Sequence, residues 1–199
     1  MNILSVDFDI IMAPSINLYN SLIKDGVNFS DIQNDYPLLA YVEADYALYQ
    51  KLVNYILDTV KDLPITSIRV ARSHEDIKYM LNDCENAHVY NIDHHHDLGY
   101  PTENPVDNDY LDCSNWADYF IKHGNIAQYV WLKNKNSINH PFYNVTSFNF
   151  NTLNLRALPP MDKVFICLSP EWIPENIYPL FYMILDIISK DKGVMLEVH

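Results

Sequence analysis

The sequence predicts a three-layer α/β/α domain with a mainly parallel sheet, a single domain over residues 1–199. Three observations carry that expectation. Short aliphatic runs rich in Val and Ile recur along the chain, stretches of helical period lie between and after them, and the acidic and histidine-bearing motifs fall where the runs end. In open α/β sheets ligands gather at the carboxyl ends of the strands, so the last observation bears on function as well as fold.

The strand runs span residues 3–8, 66–71, 88–92, 128–132 and 164–168. Each is short and almost continuously apolar, as strands covered on both faces are. One amphipathic helix is read from Tyr46, Tyr49, Val53, Ile56, Leu57 and Val60, and another from Ile177, Leu180, Phe181, Ile184 and Ile188. A shorter third, over about residues 75–82, would bury Ile77, Met80 and Leu81. Residues 100–115 and 134–160, rich in Pro, Asn, Asp and Ser, read as loops. No internal repeat and no linker stands out.

Composition narrows the class. Hydrophobic residues make up 49%, charged residues 20%, and there are only four glycines, which excludes disordered and fibrous chains. A net charge of −13 with only 13 Lys and Arg argues against a nucleic-acid partner. It suits a cationic substrate or a metal, or simply keeps the protein soluble. Cys84, Cys113 and Cys167 are odd in number and lack a Cys-x-x-Cys pair, so they read as free thiols of a reducing cytosol. No basic leader and no run of about 18 apolar residues appears, so neither secretion nor membrane spanning is expected, and a cytoplasmic location is.

Four motifs carry chemistry. In Ser5-Val6-Asp7-Phe8-Asp9 a strand ends in two carboxylates spaced by two, which at strand period point the same way. Two like charges side by side are costly unless a cation sits between them; solvated or helix-capping carboxylates are the alternative. In Asp93-His94-His95-His96-Asp97 the period of two recurs, so Asp93, His95 and Asp97 can converge on one point. That donor mix suits manganese, iron or zinc, although adjacent histidines also occur as surface tracts. His74 ends the strand run Val70-Ala71 just ahead of a helix, as a cap, a core residue or a further ligand. Glu171, in Ser169-Pro170-Glu171-Trp172, either pairs with a cationic group of a substrate or opens the last helix near its positive end.

Together these motifs resemble those of the ureohydrolases, the arginase and agmatinase group. There a two-manganese site is built from an isolated His, an Asp-x-His-x-Asp and an Asp-x-Asp, with a substrate-binding Glu following. The wording Asp93-His-His-His-Asp-Leu-Gly99, the early Asp7-Phe-Asp9 and the Cys113-Ser-Asn-Trp116 look most like the peptide arginases. Those enzymes convert arginine residues of a ribosomally made precursor peptide to ornithine. The resemblance implies an arginase/deacetylase-like fold with two divalent metal ions, manganese foremost. His74 and Asp97 would bind one, His95 and Asp9 the other, and Asp93 and Asp7 would bridge them. It further implies that Glu171 holds the guanidinium of an arginine-containing peptide and that urea is released. The order departs from ordinary arginases, in which the Asp-x-Asp strand follows the Asp-x-His-x-Asp strand. Their proton-shuttle histidine, in the loop after the metal motif, has no counterpart in residues 100–112, which leaves His94, His96 and His123 as proton-transfer candidates. The 15 Tyr and three Trp suit a groove for a longer chain, or serve as core residues.

The rivals are specific. A manganese phosphoesterase of the Asp-His-His type fits Asp93-His94-His95 literally, but resembles a two-domain design with a glycine-rich motif, against four glycines here. A zinc deacetylase-like enzyme leaves Asp9 and Asp97 without a use. A haloacid dehalogenase also begins Asp-x-Asp, but Ile10-Ile11-Met12 lacks the threonine and glycine expected next. A closed structural metal site in a binding module ordinarily needs only four ligands.

Overall fold

A computed structural model describes residues 1–14, 42–99, 110–137, 145–196 and 198. The parts of the expected loops at 100–109 and 138–144 lie outside the described residues.

Six strands form one parallel sheet: β1 (Asn2–Asp7), β4 (Ile68–Ala71), β5 (Ala87–Asp93), β6 (Ile126–Lys133), β7 (Thr146–Asn149) and β8 (Lys163–Cys167). Their order is β4-β8-β1-β5-β6-β7. Strands β2 (Met12–Pro14) and β3 (Val42–Ala44) pair antiparallel apart from it. Among the described residues there are four helices, α1 (Tyr46–Val60), α2 (Lys78–Leu81), α3 (Trp116–Lys122) and α4 (Tyr178–Lys192).

The layers follow from side-chain alternation along the strands. Leu4, Val6, Ile92, Val130, Leu132, Val164 and Ile166 face the stripes of α1 (Leu48, Leu52, Ile56) and α4 (Phe181, Ile184, Ile188). The opposite face sends Ile3, Val89, Trp131 and Phe165 against Ile77 and Met80, and against Trp116 and Phe120 of α3. With helices on both faces, both phases of each central strand must be apolar, which is why the strand runs read as unbroken. Each fully buried aliphatic or aromatic side chain contributes about 1.5–3 kcal/mol. The result is the predicted three-layer α/β/α architecture.

The chain leaves the central β1 toward β4 on one side and returns to β5 on the other. That reversal opens a crevice between the carboxyl ends of β1 and β5, where such sheets bind ligands.

Several elements differ from expectation. The helix foreseen over residues 75–82 splits into a 3-10 turn, His74–Ile77, followed by α2. Helix α3 has only seven residues, too few for a period to show. Strand β7 lies within the expected loop; it is a half-exposed edge strand of Thr, Ser, Phe and Asn with Phe148 turned outward, so it lacks an apolar run.

One lysine fastens that region. Lys51 Nζ of α1 donates to the carbonyls of Phe150, Asn151 and Leu153 at 2.6, 3.0 and 2.9 Å. Charged donors contribute more than neutral ones, so Lys51→Met should cost about 2 kcal/mol. The check is a lower denaturant midpoint at unchanged slope. Helix α4 ends at Gly193 with φ 65°, a left-handed cap whose N–H donates to the Ser189 carbonyl. Among the described residues, no helix is long and apolar enough to cross a membrane.

Candidate functional site

The four motifs meet at the crevice. Asp7 and Asp93 are the last residues of adjacent strands, and each lies two residues beyond a buried polar side chain on the same face, Ser5 and Asn91. The strand stops at Asp7: Asp9 sits on a 3-10 turn, Phe8–Ile11, and not on an extended segment as strand period implied. It stays beside Asp7 because its own N–H donates to Asp7 Oδ1 at 3.1 Å. Beyond β5 the backbone turns, and Asp97 takes a left-handed φ of 50°. Asp tolerates that region better than most residues.

Two groups of potential ligand atoms result, Asp7 with His74 and Asp93, and Asp9 with Asp93 and His95; in each, the atoms lie within 4.8 Å of one another. Asp93 belongs to both. His74 Nδ1 lies 3.1 Å from Asp7 Oδ2, 3.3 Å from Asp93 Oδ2 and 3.2 Å from Asp97 Oδ2. His95 Nδ1 lies 2.8 Å from Asp9 Oδ2 and 3.9 Å from Asp93 Oδ1. All six predicted ligands therefore share one cluster, and all but His95 are buried.

Hydrogen bonds hold these side chains in place. His74 turns its other nitrogen, Nε2, to the Ser5 hydroxyl at 2.7 Å. Ser169 Oγ donates to Asp7 Oδ2 at 2.5 Å, and the His94 N–H to Asp9 Oδ1 at 3.1 Å. Asp93 accepts from Asn91 Nδ2 at 2.9 Å and from the His95 N–H at 2.7 Å. Trp116 Nε1 donates to Asp97 Oδ2 at 2.6 Å. Such partners orient ligands and tune their basicity. Trp116→Phe would keep the ring against His74 and remove only this donor. Divalent-metal affinity should then fall about 10–100-fold, which calorimetric titration would measure.

The electrostatics are those of crowded acids. Burial drives the Asp93 carboxyl well above the usual carboxylate range, and the charges of Asp9 and Asp7 push the same way. Asp97 is raised well above it by burial and then by Asp93. Burial pulls His74 down, but its hydrogen bond to Asp7 and the charges of Asp97, Asp7 and Asp9 outweigh this and raise it. His95 is likewise raised, with Asp9 overcoming burial. Four carboxylates and two inward-facing imidazole nitrogens form a hard, anionic donor set suited to divalent cations, which would relieve the repulsion.

The rim comes from the turn after β8. Ser169, with φ 48°, accepts the Trp172 N–H on its carbonyl at 3.0 Å. Glu171 is exposed, and the Trp172 ring centroid lies 5.0 Å from that of His95. The last helical segment begins only at Glu175, so Glu171 does not open it. The Cys113 thiol, pushed up to about 12 by burial and then by Asp112, Asp97, Glu171 and Asp7, senses both the cluster and the rim.

The proton-transfer candidates fare differently. His94 is buried with its ring 5.2 Å from His95, and burial holds it well below the usual histidine range. His96 accepts the Leu98 N–H on Nδ1 at 3.1 Å and meets Trp131 edge-on at 5.7 Å. His123 is not in the site. It follows α3 and stacks on Tyr119, beside Gly124 and Asn125, whose carbonyls bind the backbone at the start of β5. Asp93 ends that seven-residue strand, about 20 Å away at the rise of a strand. Sequence spacing could not show this, because a helix and a turn carry the chain back across the sheet.

Ser5, Asn91 and Ser169 are positioning residues that are not among the acidic and histidine residues of the motifs. For Ser5 and Asn91 the sequence carries a signal: a polar residue two before the acid, with apolar residues directly on either side of it in the strand. The chain matches no family model, no curated protein and no solved structure, so the chemistry of this cluster alone speaks for its function.

Proposed function

We propose that the protein is a dinuclear metal-dependent hydrolase that converts arginine residues of a peptide to ornithine and urea. The observation that supports this best is the pair of ligand groups sharing Asp93. One shared carboxylate between two sets is the donor arrangement of a two-ion site, and a single structural ion needs fewer ligands.

In this reading His74 and Asp97 would hold one ion and His95 and Asp9 the other, with Asp7 as a further donor and Asp93 available to both. Two divalent cations, manganese for this oxygen and imidazole donor set, supply activated water for hydrolysis at neutral pH when bound. Ser5, Asn91, Trp116 and Ser169 keep the six ligands in position, so little reorganisation is needed. Guanidinium is always charged and a poor electrophile, so close orientation is required. Glu171, exposed at the rim beside Trp172, supplies the countercharge. The net charge of −13 suits a cationic substrate better than an anionic phosphate ester.

The test is incubation with manganese and an arginine-containing peptide, scored for urea and for ornithine in the product. Phosphate release from a nucleotide with no urea from any arginine compound would overturn the proposal in favour of a phosphoesterase. Glu171→Gln should raise KM about 10–100-fold, the worth of a charge-assisted contact. It should leave the metal stoichiometry unchanged.

A further inference from the structure

The rim holds a second recognition element besides Glu171. Of the three tryptophans, Trp116 and Trp131 are fully buried and their indole N–H groups are used, donating to Asp97 Oδ2 and to the Asp93 carbonyl. Trp172 is only half-buried. Its ring is tilted 48° to that of His95, the ligand with the most exposed side chain, at 21%. An aromatic face thus borders the accessible side of the cluster.

The turn that carries it is well fastened. Leu168 and Ser169 donate their N–H groups to the carbonyls of Ala71 and Arg72 at 3.1 and 3.0 Å, and the Trp172 N–H closes back on Ser169. Ile173, the next residue, is buried in the core between the sheet and α4. Tyr178 OH donates to the Pro170 carbonyl at 3.3 Å. A turn held this way leaves the backbone under Trp172 little freedom to lose when a planar group settles on its indole.

We propose that Trp172 is a stacking platform for the substrate guanidinium, which lies flat on the indole while its N–H edge turns toward Glu171. This rests on the reaction proposed above and adds the basis of side-chain selectivity. A guanidinium is planar and weakly hydrated, so it can stack on an aromatic face and still donate from its edge to a carboxylate; a lysine ammonium is a compact, strongly hydrated point charge that does this poorly. The site therefore selects arginine over lysine by shape as well as charge. It also discriminates against neutral citrulline, which lacks the charge attracted to the ring.

Two measurements test this. Because Trp116 and Trp131 are buried, an arginine-containing peptide should perturb the tryptophan emission of the manganese-loaded protein through Trp172, whereas its lysine and citrulline counterparts should not. In kinetics, Trp172→Leu should raise KM on the order of tenfold at little change in kcat and with manganese affinity intact, and Trp172→Phe should recover most of the loss. An unchanged KM in Trp172→Leu, or a wild-type emission blind to the arginine peptide, would overturn the proposal. A manganese affinity that falls along with the KM effect would also overturn it, since Trp172 would then only position His95. Should emission and affinity discriminate arginine while no urea forms, the platform stands and the proposed reaction falls.

Discussion

Asp93→Ala is expected to abolish divalent-metal binding and urea release together. Asp93 is fully buried, ends the central strand β5, and is the one residue common to both ligand groups. Its removal takes a ligand from each set at once and leaves Asn91 Nδ2 and the His95 N–H without their carboxylate. Loss of a supporting hydrogen bond alone costs about 10–100-fold in metal affinity. Loss of the shared ligand should exceed that, bringing manganese binding below detection in a titration and urea below the assay background. Asp93→Asn, which keeps the shape and removes the charge, should fail in the same way. Retained turnover in Asp93→Ala would refute the assignment of the centre.

The second large effect is on stability. Without a cation, the fold holds Asp7, Asp9, Asp93 and Asp97 together in a buried cluster, where His74 and His95 pair with them. Ions that bind this arrangement and not the unfolded chain stabilise it by mass action, by about 2.7 kcal/mol for one site at a hundredfold excess over Kd. For a chain of this size that is a rise in Tm of roughly 5–10 °C per site. Thermal unfolding with manganese and with a chelator measures it. The metal-free Asp93→Asn protein should be more stable than metal-free wild type, because a carboxyl that burial, Asp9 and Asp7 disfavour is replaced by a neutral amide, yet gain nothing from manganese. The same substitution thus moves stability in opposite directions with and without the ion, which a merely structural role for Asp93 would not produce.

Much of this centre is local in sequence. Asp7 and Asp93 end aliphatic strands, His95 and Asp97 follow at a spacing of two, and His74 stands where β4 gives way to a turn. A strand covered on both faces and a helix with one buried stripe each leave a short-range signature in residue type, so the fold class could be read from periodicity and the six clustered Asp and His side chains from their motifs.

What no local pattern could decide was which of these residues touch. Ser169 reaches Asp7 across 162 positions and Ser5 reaches His74 across 69, contacts that exist because β8 pairs with β1 and carries β4 on its other edge. The same strand order placed Trp116 against Asp97 and Trp172 beside His95, and it removed His123 to the far end of the sheet. By itself the sequence determined the layered fold, the acidic and histidine donors, and their position at the strand ends, because burial and periodicity act over a few residues. Tertiary structure alone decided that Asp93 is shared, which side chains orient the ligands, and that an indole borders them, because those depend on strand order and on turns that bring distant segments within hydrogen-bonding distance.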